Sequence, residues 1–377
     1  MSLAASERER FHAVMSGGSF DRVPLLYFGT WPETKVRWRA EGLGVAMDMG
    51  GNGGPQLPGM DTDWECAPDG VGCIWDNQGL LRPWPLAPGR DEVVAEDATS
   101  RTVRSPLGGI VQHSTIGSSI AHQIRPHLQP TRVDWERFRA FLDPHDPARW
   151  PAGWRQRAVL LQRRTHMTCF FGGSLYGWVR DWMGVEGVSC LAYDDPELFE
   201  EIIAFLADYF IALNTPLLRQ VGFDFAYVFE DCCFNTGSLI SPKLYRRCYD
   251  RHYRRMIAAY RDLGVPFILI DSDGKVDDLL PCWLETGFDI VFPIEVGTWK
   301  ASPVELRRRF GPRLRMMGGV DKHVIPRGEA AIRAELEPLR SLAAAGGFIP
   351  MPDHRIPPDT SLEQFRTYLR VFREVFG

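Results

Sequence analysis

From Phe223 to the C-terminus, short runs of β-branched and aromatic residues alternate with amphipathic stretches, and this alternation constrains the fold more than any other feature. Phe223–Glu230 (FDFAYVFE) reads as a buried strand, and Ser241–Leu263 as a helix opened by Ser241 and Pro242. Pro266–Ile270 predicts a second strand and Gly274–Gly287 a short helix. Asp289–Pro293 with Pro303–Phe310 repeats the pair, as does Leu314–Val320 with Glu329–Ala345, which Gly346 and Gly347 close. Phe348–Met351 and Leu362–Phe376 complete five strand–helix units in about 155 residues. Such a series requires a parallel sheet, closed into a barrel or spread into an open doubly wound sheet. No GxGxxG follows a strand, which disfavours an open dinucleotide-binding sheet. The expected fold is therefore α/β, a (β/α)8 TIM barrel, with residues 1–377 forming a single domain.

The N-terminal half is less regular. Arg22–Gly29 (RVPLLYFG) predicts a first barrel strand, Met167–Phe171 a further one, and Asp195–Leu217 a helix. Residues from about 50 to 120 are rich in Gly, Pro and Trp, with alternating runs at Val71–Trp75 and Gly109–Gln112. They read as an insertion of β-hairpin character. Asp143–Trp150 (DPHDPARW) is a Pro-rich surface connection.

Composition excludes some classes. A formal net charge of −5 argues against a nucleic-acid binder. The N-terminus lacks an apolar signal core, and no run of about 18 apolar residues predicts a membrane span, so a cytoplasmic location is expected. The 8 cysteines lack paired CxxC spacing and read as reduced, packed thiols.

In a parallel barrel the chemistry lies at the C-terminal strand ends. That rule selects Glu230 and Asp231, Asp271 and Asp273, Glu295, Asp321, and the pair Asp353 and His354. Each also has a plain reading as a cap or a turn residue. Together, carboxylates converging on one mouth need a cation to offset their repulsion, or some of them must be protonated. A divalent metal held by Glu230, Asp271, Asp273 and His354 is the simplest offset; zinc accepts such ligands, and an oxygen-rich set also suits manganese or magnesium. Phe170–Gly184 places Tyr176, Trp178 and Trp182 after a strand, as a substrate wall or as helix packing.

These residues resemble a family. Asp21–Pro24 (DRVP), Phe171–Gly184 (FGGSLYGWVRDWMG) and Tyr227–Pro242 (YVFEDCCFNTGSLISP) come first, followed by Ile270–Gly274 (IDSDG), Gly318–Lys322 (GGVDK) and Pro352–Thr360 (PDHRIPPDT). They are similar, in order and over nearly the whole chain, to the uroporphyrinogen decarboxylase superfamily, which includes corrinoid-linked methyltransferases. The resemblance implies a (β/α)8 barrel. True decarboxylases carry an RQAGR motif after the first strand that clamps substrate carboxylates; the matching stretch here, Tyr27–Lys35 (YFGTWPETK), has no arginine. The zinc-dependent methyltransferase branch carries His-x-Cys-Gly and a later Cys. Here Asp271, Ser272, Asp273 and Gly274 match the first motif and His354 the second, so soft ligands have become harder ones.

The resemblance thus implies a metal-assisted methyltransferase that moves methyl from a small methylated or methoxylated substrate to a corrinoid held by a partner protein. In that reading Asp231, Tyr176 or His354 handles protons, and Trp178, Trp182 and Asp321 bind substrate. A homodimer is implied likewise. The alternatives are a decarboxylase-like lyase centred on His354, with Arg180, Arg355 or Lys322 gripping a carboxylate, and a ligand-binding barrel without catalysis.

Overall fold

The computed structural model describes residues 5–43, 80–116, 121–164 and 167–377. Val71–Trp75 lies outside them. Four strands, β1 (Glu92–Glu96), β2 (Ser100–Arg104), β3 (Ile110–Ser114) and β4 (His122–Arg125), pair antiparallel in sequence order. The hairpin character expected for this region is therefore present. Its strands are mostly exposed on both faces, so it buries little of its own.

The core is a six-stranded parallel sheet. It contains β5 (Cys169–Gly173), β6 (Phe225–Phe229), β9 (Ile268–Asp271), β10 (Ile290–Ile294), β11 (Arg315–Val320) and β12 (Phe348–Pro352), side by side in that order. A small hairpin, β7 (Cys233–Phe234) with β8 (Gly237–Ser238), follows β6. The core strands are buried at nearly every position, which explains why they read as continuous apolar runs and not as alternating ones. Val23–Thr30 is buried, and a parallel bridge pairs Thr30 with Ile356, just past β12.

Local chemistry accounts for most boundaries. Ser241 caps the helix Pro242–Cys248 by accepting from the Leu244 N–H. The single helix expected over 241–263 is two, because a turn at Tyr249 (φ −110°) separates Pro242–Cys248 from Asp250–Asp262. Glu329–Ala345 likewise divides at the 3-10 turn Glu337–Leu339, where Pro338 cannot donate to the ladder. Ser361 and Gln364 form a capping box that opens Leu362–Phe376.

The helix Pro196–Leu218 is, by length and composition alone, apolar enough to cross a membrane. It packs here as a core helix: Ile202, Ile203, Leu206, Phe210 and Leu213 are buried. Beneath the sheet, Asp224 is wholly buried and pins the N-terminal helix Glu7–Ser16. It accepts from Arg8 (2.6 Å), Arg164 (2.8 Å) and the Thr168 N–H (2.8 Å), and lies 2.7 Å from His12 Nε2.

Candidate active site

β6 and β9 are neighbours in a register that sets Phe229 opposite Asp271, so the residues just beyond both strands emerge at one level. The peptide N–H groups of Glu230 and Asp231 both point to the Asp271 carbonyl, at 2.8 and 3.3 Å. Asp231 then turns through a left-handed backbone, φ 41°. This brings Asp231, Asp271 and Asp273 together: one carboxylate oxygen from each lies within 4.8 Å of the others. Tyr227 donates its hydroxyl to Asp271, and the Asp273 N–H donates to Asp231 at 3.1 Å. His354, after β12, sits with its Nε2 3.3 Å from Asp273.

A cavity of about 290 Å³ opens onto this group. Asp231, Asp271, Asp273, His354 and Asp181 supply acidic and imidazole groups to its wall, and Arg355 supplies a guanidinium. Phe28, Trp178, Tyr227 and Phe229 supply aromatic surface. Trp178 is backed by Phe171, stacked at 5.0 Å, and Arg355 lies 4.6 Å over Phe28.

Arg180 is the cation behind the wall. Its guanidinium donates to the Asp231 carbonyl (2.6 Å) and lies 3.4 Å from the Asp231 carboxylate and 2.9 Å from that of Asp181. Burial, reinforced by Asp273, pushes the Asp231 carboxyl up to about 6 although Arg180 opposes the shift. Burial also raises Asp181.

The acids expected at one mouth divide into two groups. Glu230, expected among the metal ligands, is turned away from the cavity. It accepts from the N–H groups of Leu175 (2.8 Å), Tyr176 (2.7 Å) and Gly177 (3.0 Å), and from the Tyr253 hydroxyl. Its carboxylate thus serves the four-donor N-terminus of the helix Gly177–Asp194. Burial raises it to about 7 against those hydrogen bonds. Glu295 accepts from the Gly274 N–H at 2.6 Å and the Thr298 hydroxyl at 2.9 Å. Asp353 accepts from the N–H groups of Gly297 and Lys322, at 2.8 and 3.2 Å. These three carboxylates stitch loops together.

Three other expected site residues stand outside the cavity. The Tyr176 hydroxyl is buried with no hydrogen-bond partner among the described residues, and its ring faces Tyr249 edge-on. Trp182 packs between Phe138 and Trp178, at 4.7 and 5.3 Å. Asp321 accepts from the His323 N–H at 2.9 Å, capping the turn Lys322–Arg327. Conversely, sequence reasoning missed Phe28, Asp181, Tyr227 and Phe229. Phe28 closes the expected first strand, and Tyr227 and Phe229 share a strand face by alternation; both signals were readable. Asp181 carried none.

The sequence profile described as uroporphyrinogen decarboxylase (URO-D) matches residues 180–375, just over half of the chain. No curated protein matches. Among solved structures, a methyltransferase from Methanosarcina mazei superposes with a TM-score of 0.59 at 15% identity, covering 98% of this chain and 99% of that one. That likeness is one of fold. A B12-independent methionine synthase from Shewanella sp. W3-18-1 covers 60% of this chain and 66% of its own at 14% identity, with a TM-score of 0.40, too loose to bear on the site.

Proposed function

This chain belongs to the uroporphyrinogen decarboxylase family, and from that premise we propose that it is a metal-assisted methyltransferase. It moves methyl from a small methoxylated or otherwise methylated substrate to a corrinoid carried by a separate protein. The observation that carries the reading is the convergence of Asp231, Asp271 and Asp273 beside His354 on one cavity at the strand ends. We also read the six strands as part of a closed eight-stranded barrel, supported by the bridge that joins Thr30 to Ile356.

The donor set fits a hard divalent cation. Metal–oxygen bonds of about 2.0–2.2 Å span ligand oxygens up to about 4.4 Å apart. Oxygens within 4.8 Å therefore need only small side-chain rotations. All-carboxylate ligation with one imidazole nearby suits manganese or magnesium, and zinc also accepts it. Such an ion supplies Lewis-acid polarisation of the substrate's ether oxygen. The chain's own residues do the rest. Trp178 and Phe229 hold the substrate flat, and a cavity near 290 Å³ limits it to a small molecule. When the carbon–oxygen bond breaks and methyl leaves for its acceptor, His354 gives the alkoxide a proton, with Asp273 orienting the imidazole. Tyr227 and Arg180 keep Asp271 and Asp231 in place.

The test is metal content by plasma mass spectrometry after exposure to manganese or zinc, together with methyl transfer from 2-methoxyphenol and related ethers to reduced cobalamin. Near-stoichiometric metal in the wild type, lost in Asp273→Asn, and ether-dependent methylcobalamin support the reading. Absent metal under all loading conditions sinks it. Arg355 beside His354 favours one second reading, a lyase acting on a carboxylated substrate; release of carbon dioxide from aromatic carboxylic acids, without methyl transfer, would select it.

A further inference from the structure

A second cavity, of about 530 Å³, lies away from the strand-end mouth. Its walls come from the Pro-rich loop 143–150, the start of the helix Trp154–Leu161, and the residues just past Pro216. Arg219 and Gln220 stand between the helix Pro196–Leu218 and the start of β6, so this wall lies toward the end of the sheet opposite Asp231 and His354. Nothing in the proposed reaction uses it.

Three observations set the cleft apart from an ordinary surface groove. First, it holds an aromatic platform: Trp150 and Trp154 lie 4.3 Å apart with their planes at 33°. The Arg155 guanidinium lies 4.7 Å over Trp154. Second, its lining is cationic and, among the described residues, contains no acid. Arg155, Arg219 and His145 contribute to it, and among the described residues neither arginine ion-pairs with a carboxylate. The contrast is with Arg251, Arg254, Arg255 and Arg261 on one nearby helix, each of which meets an acid, in a chain of net charge −5. The two aspartates of the loop face its own amides: Asp143 accepts from His145 at 2.9 Å and Asp146 from Ala148 at 2.8 Å. Third, the loop is anchored. Arg149 is wholly buried and donates to the carbonyls of Asp143, Arg82, Trp84 and Phe141, at 2.5 to 3.0 Å. A loop clamped on four carbonyls holds its indoles in place before any ligand arrives.

We infer that this cleft binds a planar aromatic anion, its ring on Trp150 and its phosphate or carboxylate on Arg219 and Arg155. An indole favours a flat π system, and a pair of guanidiniums favours an oxyanion. A neutral aromatic ring gains nothing from the two guanidiniums, and a bare phosphate leaves the platform unused. The volume, within the range of ligand pockets, admits one such molecule with room for water.

Isothermal titration calorimetry at low ionic strength tests this with AMP, phenyl phosphate and benzoate, and with adenosine and inorganic phosphate as controls. The expected result is saturable binding of at least one aromatic anion. It is at least tenfold tighter than either control, and it weakens as salt rises. Arg219→Gln and Trp150→Leu each reduce it tenfold or more, Arg219→Lys retains part of it, and Asp273→Asn leaves it unchanged. Arg219 is exposed, so its substitutions leave the fold intact, which a thermal melt checks. The inference is overturned if none of the three anions binds below millimolar concentration. It is overturned equally if binding survives both Arg219→Gln and Trp150→Leu, or disappears in Asp273→Asn and so belongs to the strand-end cavity.

Discussion

Replacing Asp273 with Asn should change stability in opposite directions depending on whether a cation is present. Asp231, Asp271 and Asp273 place carboxylate oxygens within 4.8 Å of one another. Two unit charges at that separation repel by about 1 kcal/mol in water and about 3.5 kcal/mol at an effective dielectric of 20. Asp273 is 41% exposed, so each of its two repulsions lies toward the lower figure. Removing both, and losing its contact with His354, leaves a net gain of about 1 kcal/mol at pH 8 in the presence of a chelator. With manganese at about a hundred times its dissociation constant, the wild type instead gains about 2.7 kcal/mol from binding. Unfolding entropy of about 2.1 cal/mol/K per residue over 377 residues is about 0.8 kcal/mol/K, so that gain raises Tm by about 3–4 °C. The variant should therefore melt about 1 °C above the wild type in chelator and below it in manganese. Differential scanning fluorimetry with paired buffers reads both. A variant that is destabilised equally in both buffers would falsify the cation-site reasoning, because its effect would then come from packing.

Three further outcomes are expected. Because burial and Asp273 hold the Asp231 carboxyl up at about 6, cation affinity should be full above that value and fall as pH drops through it; titrating manganese by calorimetry between pH 5 and 8 checks the midpoint. Tyr176→Phe should leave methyl transfer within about twofold and stability within about 1 kcal/mol, since among the described residues the hydroxyl has no hydrogen-bond partner and Tyr176 does not line the cavity; steady-state kinetics and a urea melt decide it. Asp224, although buried, is held down at about 2 by His12, Arg164 and Arg8, below its ordinary 3.8. A depressed carboxyl stabilises the fold above its unfolded value and loses that contribution as pH falls through the folded one, so about 2 kcal/mol should disappear between about pH 4 and pH 2. In Asp224→Asn, chemical denaturation should show that loss already at pH 7 and no such acid step.

The parallel sheet was legible because its strands are buried on both faces and punctuated by caps that work locally: Ser241 before Pro242–Cys248 acts as its sequence suggests. The level of the site was legible for the same reason, since Asp271 and Asp273 had to follow a strand. What sequence could not separate was a carboxylate that faces a cavity from one that faces amides. Glu230 and Asp231 are adjacent in sequence and exit one strand, yet a single left-handed residue sends Asp231 to the cavity while Glu230 stays under the helix 177–194. No pattern of residue types encodes that division, because either acid satisfies donors equally well. Asp181 was invisible because it lies in a helix, and its place in the wall depends on how that helix is seated over Glu230.

The clamp on Asp224 also has a consequence in time. The helix Glu7–Ser16 leaves a ribosome well before Asp224 does, and it carries Phe11, Val14 and Met15, which end up buried. Its charged partner lies 216 residues farther along from Arg8. At about 5–20 residues per second, synthesis of that interval takes on the order of 10–40 s. For that long the nascent helix has an apolar face and two basic side chains with no Asp224 to meet, so it docks late in the finished fold.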